Sequence, residues 1–191
     1  WQRSDGSGTM EMIGTEASQF GTSFSPDMRH LLFGTPMAPP YDIGVITIDG
    51  EARTEMLLST EFSEANAEFS PDGNWIAYQS NESGRDEVYV RPFPDVDAAR
   101  FQVSTGGGTR PLWSNDGSEL FYYLGPDSIL AVSVEYEPSF TVGRPEVVVR
   151  GQYARPSRTG RHYDVSADAE RFLLLADERT TGDEAEAEDE I

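Results

Sequence analysis

Phe69-Ser-Pro-Asp-Gly73 leads through Asn74 into the apolar run Trp75-Ile-Ala-Tyr78, and the chain carries this arrangement four times. The other copies are Phe24-Ser-Pro-Asp27, Trp113-Ser-Asn-Asp-Gly117 and Val165-Ser-Ala-Asp168, followed by Leu31-Leu32-Phe33, Leu120-Phe-Tyr-Tyr123 and Phe172-Leu-Leu-Leu175. The serines stand at 25, 70, 114 and 166, so successive copies are 45, 44 and 52 residues apart. Thr15, Thr60 and Thr105 fall into the same register, each about nine residues ahead of the aromatic that opens the phrase. Self-similarity at a fixed period of roughly 20–50 residues is how a repeat architecture shows itself in sequence.

Chemistry explains the phrase. Proline pre-sets φ at the first corner of a turn, serine and aspartate hydrogen-bond nearby backbone, and glycine accepts the left-handed dihedrals that other residues avoid. An aromatic before the turn and an apolar run after it are the two arms of a β-hairpin. Tyr41-Asp-Ile-Gly-Val-Ile-Thr-Ile48 and Glu87-Val-Tyr-Val90 supply a third strand, and Glu55-Met-Leu-Leu58 and Phe101-Gln-Val103 a fourth. Four antiparallel strands in about 45 residues make one propeller blade. The sequence therefore predicts an all-β, partial β-propeller of about four blades. Three are complete, at about residues 15–58, 60–103 and 105–150, and two are half-blades, at 1–13 and 161–176. No window sustains apolar residues at helical spacing between the frequent Gly and Pro, which excludes an all-helical reading. Met28 stands where the first phrase should have glycine, and Ala167 and Ala169 replace Pro and Gly in the last, departures that predict looser turns there.

The stretch from Phe69 to Pro94, followed by Gln102-Val-Ser-Thr-Gly-Gly-Gly-Thr-Arg-Pro-Leu-Trp113, resembles the TolB-like, WD-type propeller repeats of bacteria. It is most similar to those in the C-terminal region of bacterial transmembrane serine/threonine kinases. The resemblance covers about residues 1–176. It implies a propeller used for binding or sensing, an extracytoplasmic or periplasmic setting, and further blades that would complete a ring of about six.

The composition suits a loop-rich antiparallel protein, with 18 Gly, 12 Pro and 11% aromatic residues. There are no cysteines, so disulfides and thiolate zinc sites are excluded. The 34 acidic residues face 14 basic ones, all arginine, for a net charge of −20. Such a surface repels phosphate backbones and anionic lipid, which argues against nucleic-acid or membrane-surface partners. The absence of lysine fits both adaptation to high salt and a genome biased toward arginine codons. Residues 177–190 carry eight carboxylates and one arginine with no large apolar side chain, the pattern of a solvated acidic tail through residue 191.

The search for chemistry finds no catalytic constellation. No Gly-x-Ser-x-Gly elbow occurs, and Gly21-Thr-Ser-Phe-Ser25 reads as an inner strand that places Ser23 beside the turn. His30 falls in a hairpin turn and His162 ahead of a strand, too dispersed to predict a metal site. Gly106-Gly-Gly108 lacks the Lys-Ser/Thr of a phosphate-binding loop and sits in the connection between blades. No cofactor is implied. The candidate binding residues are arginines. Arg110 lies on an innermost strand near the central channel, and Arg85 and Arg91 flank the third strand of the best-formed blade. The sequence thus supports a non-catalytic module for a protein, peptide or glycan partner. Its alternative is the accessory propeller of a kinase or prolyl-oligopeptidase-like enzyme whose catalytic domain lies outside this chain. The half-blade edges predict self-pairing, in a small four-bladed ring or between two chains of a homodimer.

Overall fold

The computed structural model describes residues 7, 9, 20–35, 39–151 and 160–175. Within them the chain is all-β. The first sheet runs in the order β1 (Phe20–Phe24), β2 (His30–Gly34), β3 (Ile43–Thr47), β4 (Arg53–Leu58). The second runs β5 (Glu64–Phe69), β6 (Trp75–Ser80), β7 (Glu87–Pro92), β8 (Phe101–Gln102). The third holds β9 (Thr109–Trp113), β10 (Glu119–Leu124), β11 (Ser128–Glu135), β12 (Thr141–Val142) and β13 (Glu146–Arg150), and β14 (Tyr163–Val165) pairs with β15 (Phe172–Leu174) in a fourth. Every pairing is antiparallel between chain neighbours except that of β13 with β11. The expected half-blade at 1–13, apart from Ser7 and Thr9, and the acidic tail at 177–191 lie outside the described residues. No described helix is long and apolar enough to cross a membrane.

The repeated phrase builds one turn four times over. In each copy the amide of the fourth residue donates to the serine carbonyl: Met28 to Ser25 at 2.9 Å, Gly73 to Ser70 at 2.9 Å, Gly117 to Ser114 at 2.9 Å and Ala169 to Ser166 at 2.8 Å. Each serine hydroxyl donates to the aspartate two residues on and accepts the amide five residues on, so that His30, Trp75, Glu119 and Arg171 are pinned at 2.9–3.0 Å. The aspartate in turn accepts the amide of the residue that follows the fourth position. This corrects the expectation of looser turns in the first and last copies. Met28 (φ 60°) and Ala169 (φ 58°) take the left-handed conformation that Gly73 (φ 75°) and Gly117 (φ 76°) take in the other two. The side-chain network over-determines the backbone there, and the residues bear the strain.

The third sheet also departs from a plain four-stranded blade. Its outer edge is split: Thr141–Val142 pairs with Val134 and Glu135, while Glu146–Arg150 pairs with Ser128 to Ala131. Between them Pro145 has no amide to donate, and Gly143 makes the last bond of the first segment, to the Ser133 carbonyl at 2.9 Å. The eight-residue β11 thus accommodates two short partners on one edge.

Apolar side chains between successive sheets form the cores. Leu32, Ile43 and Val45 of the first sheet meet Phe69, Ile76 and Tyr78 of the second. Ala77, Val88 and Val90 meet Trp113, Leu120 and Tyr122 of the third, and Phe121 and Tyr123 meet Tyr163 and Phe172 of the fourth. Each large side chain sealed in this way is worth about 1.5–3 kcal/mol. Of the aromatics expected in the core, Phe69, Tyr78, Trp113 and Phe121 are buried. Trp75 is half-buried, its ring 5.0 Å from that of Phe140.

Candidate functional site: the axial channel

Each innermost strand of the three large sheets carries a bulge at the same repeat position. In β1 the pairing slips between Gly21 and Ser23, in β5 between Ala65 and Glu68, and in β9 between Thr109 and Leu112. One extra residue in each strand breaks the ladder and re-aims its neighbours, which is the usual role of a bulge beside a site. Asn66 and Arg110 sit at the last two bulges, both at φ 54°. A left-handed arginine in a strand is uncommon and persists only where its surroundings hold it.

Those surroundings are polar and come from different sheets. The Gln79 Oε1 accepts from Asn66 Nδ2 at 2.8 Å and from the Arg110 amide at 3.1 Å. Asn66 Oδ1 accepts the Gly160 amide at 3.1 Å, Arg110 Nε donates to the Gly160 carbonyl at 2.9 Å, and the Tyr163 hydroxyl donates to the Arg110 carbonyl at 2.9 Å. The segment that enters the fourth sheet is thereby tied to β5 and β9. Arg161 completes the arrangement: Nη1 donates to Glu68 Oε2 at 2.9 Å, and Nε donates to the Tyr163 carbonyl at 3.1 Å.

Three cavities lie along these strands. A neck of about 110 Å3 is lined by Phe20 to Thr22, Asn66 to Glu68, Arg110, Pro111, Gly160 and Arg161, so the innermost strands of the three large sheets and the segment ahead of β14 all contribute to it. Toward the strand starts it shares Arg110 with a cavity of about 330 Å3 that includes Tyr41, Asn81 and Asp86. Toward the repeated turns it shares Glu68 and Arg161 with one of about 550 Å3 that includes Phe24, Pro71, Trp113 and Asn115. Through these shared residues the three spaces run in series along the innermost strands as an axial channel, with the smallest space at the bulges.

Burial dominates the electrostatics of the neck. It raises the Glu68 carboxyl above the ordinary glutamate value, against the opposing pull of the Arg161 charge and hydrogen bond. The same cause lowers the Arg110 guanidinium and raises the Tyr163 phenol well above its usual value. The chemistry on offer is fixed hydrogen-bond donors and two guanidiniums around a small, largely apolar-walled space, suited to holding a ligand group in one orientation.

The three arginines singled out from sequence do not converge. Arg85 is an exposed turn residue whose Nε lies 3.8 Å from Glu87. Arg91, in β7, donates Nε to the Tyr78 hydroxyl and Nη1 to the Val96 carbonyl, both at 2.8 Å. Only Arg110 of the three lines the channel. Ser23 accepts the Phe69 amide at 3.1 Å and so bridges two sheets. His30 is the first residue of β2 rather than a turn residue, its ring edge-on to Phe93 at 5.1 Å. His162 lies next to Arg161 in sequence, and its buried Nδ1 has no hydrogen-bond partner among the described residues. Gly107, in the glycine run, donates its amide to Glu87 Oε1 at 2.9 Å. No three described His, Asp or Glu side chains gather as a metal site.

Sequence reasoning missed Asn66, Glu68, Gln79 and Arg161. One signal was available. Counting back four residues from each phrase serine gives Gly21, Asn66, Arg110 and His162, a repeat position with a different residue in every copy. That signal reaches Asn66 alone of the four, since Glu68, Gln79 and Arg161 hold other places in the repeat.

None of the family models, and none of the curated proteins, matches this sequence. Solved structures do. TolB from Acinetobacter baumannii superimposes with a TM-score of 0.56 at 18% identity, over 77% of this chain and 36% of its own. A protein of Agrobacterium tumefaciens provisionally assigned as TolB gives 0.56 at 18% identity, over 73% of this chain and 53% of its own. A protein of Bacteroides uniformis provisionally assigned as a 6-phosphogluconolactonase gives 0.55 at 17% identity, over 92% and 56%. These likenesses show the fold, a partial β-propeller, and the chain spans about half or less of the length of the two TolB structures.

Proposed function

We propose that this propeller segment is a non-catalytic binding module, and that a peptide segment of a partner protein enters its axial channel from the face carrying the repeated turns. The observation that carries this reading is the channel itself. It widens from a neck of about 110 Å3 to about 550 Å3 at the turn face, with walls supplied by the rigid inner strands of all four sheets. Propellers present ligands to loops gathered around one face while the strands stay fixed. The same module serves as the accessory propeller of an enzyme if a catalytic domain lies elsewhere in a longer protein. The sequence resemblance to kinase C-terminal regions supports that second reading.

The test is selection from a random peptide library, with a glycan array in parallel, against the immobilised full chain. The expected result is a family of peptides whose binding falls at least about tenfold on Asn66→Ala. Peptides indifferent to that change, or binders found only on the glycan array, would overturn the peptide reading.

A further inference from the structure

The neck of the channel is chemically unlike the rest of the molecule. A chain of net charge −20 places two guanidiniums, Arg110 and Arg161, around a cavity of about 110 Å3, with Glu68 as the carboxylate that shares it. That volume holds three or four waters, or one planar acid group. Both arginines are anchored through Nε to backbone carbonyls, Arg110 to Gly160 and Arg161 to Tyr163, which fixes the planes of their forks. Glu68 meets Arg161 through a single bond, Nη1 to Oε2 at 2.9 Å, short of the two-point geometry in which a guanidinium binds a carboxylate most strongly. Burial also works against Glu68 as an anion, since its carboxyl is raised despite the adjacent Arg161. Nothing in the repeat calls for this pair: the residues are 93 positions apart, Glu68 in β5 and Arg161 in the segment ahead of β14.

We propose that the neck is a carboxylate-recognition site, in which Glu68 is an internal stand-in that an acidic group of the ligand displaces from Arg161. This rests on the channel being the binding site and adds the class of group bound there. The ligand's body occupies the wide cavity among Phe24, Pro71 and Trp113, and its acid reaches the neck through the wall where Glu68 and Arg161 line both spaces. The acid is the terminus or acidic side chain of a peptide, or the carboxylate of a sugar acid. The groups that face Glu68 are Arg161, whose charge favours its ionised form, and Asp164, whose charge opposes it.

The experiment uses the full chain labelled with 15N and follows the Nε–Hε signals of Arg110 and Arg161 during titration. The probes are N-acetylglycine, glucuronate and the neutral N-acetylglycinamide. Both arginine signals should move with at least one acid and stay still with the amide; which acid moves them separates a peptide source from a sugar source. Glu68→Gln, which keeps the shape and removes the competing charge, should tighten the acid by about fivefold or more. Arg161→Gln should weaken it by roughly tenfold or more. Urea unfolding of each variant confirms that it folds, and Glu68→Gln decides the matter if Arg161→Gln does not. Equal response to acid and amide, or acid binding weakened by Glu68→Gln, overturns the carboxylate site and leaves the peptide channel standing. Silence of both arginines toward every acid also overturns it, independently of what the peptide library selects.

Discussion

Replacing Ser70 by alanine tests the element on which the architecture rests. Ser70 is 0% exposed. Its hydroxyl donates to Asp72 Oδ1 at 2.5 Å and accepts the Trp75 amide at 3.0 Å. Alanine removes both bonds, while the backbone pairs Ser70 N to Trp75 O and Gly73 N to Ser70 O remain. A hydrogen bond to a charged acceptor is worth about 1.5–3 kcal/mol, and an amide left without a partner in a sealed position costs about 1–3 kcal/mol. Asp72 keeps two bonds from Asn74, so the terms do not add in full, and the expected loss is about 2–4 kcal/mol. For a domain of this size that lowers Tm by roughly 5–15 °C. The assay is urea unfolding followed by tryptophan fluorescence, where the midpoint should fall with the slope unchanged. Ser166→Ala is the internal comparison: it loses the same bonds, to Asp168 and Arg171, in the copy closest to solvent, and should cost less than about 1 kcal/mol. A Ser70→Ala protein within about 0.5 kcal/mol of the parent would refute the reasoning, and so would equal losses at the two sites.

Other outcomes follow from the same geometry. Trp113→Ala should cost about 3–5 kcal/mol in urea unfolding, because the ring is only 4% exposed between the second and third sheets. Met28→Gly should stabilise by about 0.5–1 kcal/mol, the relief of a left-handed Met less the entropy of glycine. Gly73→Ala should destabilise by about 1–2 kcal/mol, since a Cβ there adopts φ 75° and meets Pro26 Cδ at 3.2 Å; opposite signs from calorimetry would refute both. Asp116 is held down to about 2 by bonds from the Ser118 amide and hydroxyl and from Ser114, so its folded pKa lies below the unfolded value. The stability it contributes is present above about pH 4 and lost as pH falls toward 2, and Asp116→Asn should flatten the unfolding midpoint across that window. The purified chain should turn over neither peptide nor ester substrates, and an activity abolished by Ser23→Ala or His162→Ala would overturn the non-catalytic reading.

The turn at Ser70 was legible because its bonds span two to five residues, and the residue types that make them are the ones that recur at 25, 114 and 166. The strands that follow were legible for a related reason. Trp75-Ile-Ala-Tyr78 and Leu120-Phe-Tyr-Tyr123 are buried between sheets, and such strands read as continuous apolar runs. Met28 and Ala169 misled because a rule about single residues was overruled by the serine and aspartate bonds around them. The split outer edge of the third sheet was hidden because Pro145 and Gly143 mark a break without saying that the chain resumes on the same edge of β11.

The sequence by itself determined the repeat, the all-β class and the hairpin at the heart of each blade, since these rest on hydrogen bonds and burial patterns inside segments of a few residues. The tertiary structure alone decided the channel. Glu68 meets Arg161 across 93 residues, Asn66 meets Gly160 across 94, and Arg110 meets Gly160 across 50. Those contacts exist only because the fold lays the segment ahead of β14 against the innermost strands β5 and β9. The bulges then turn Asn66 and Arg110 out of the ladder toward the axis, a direction that depends on strand register and leaves no mark in local composition.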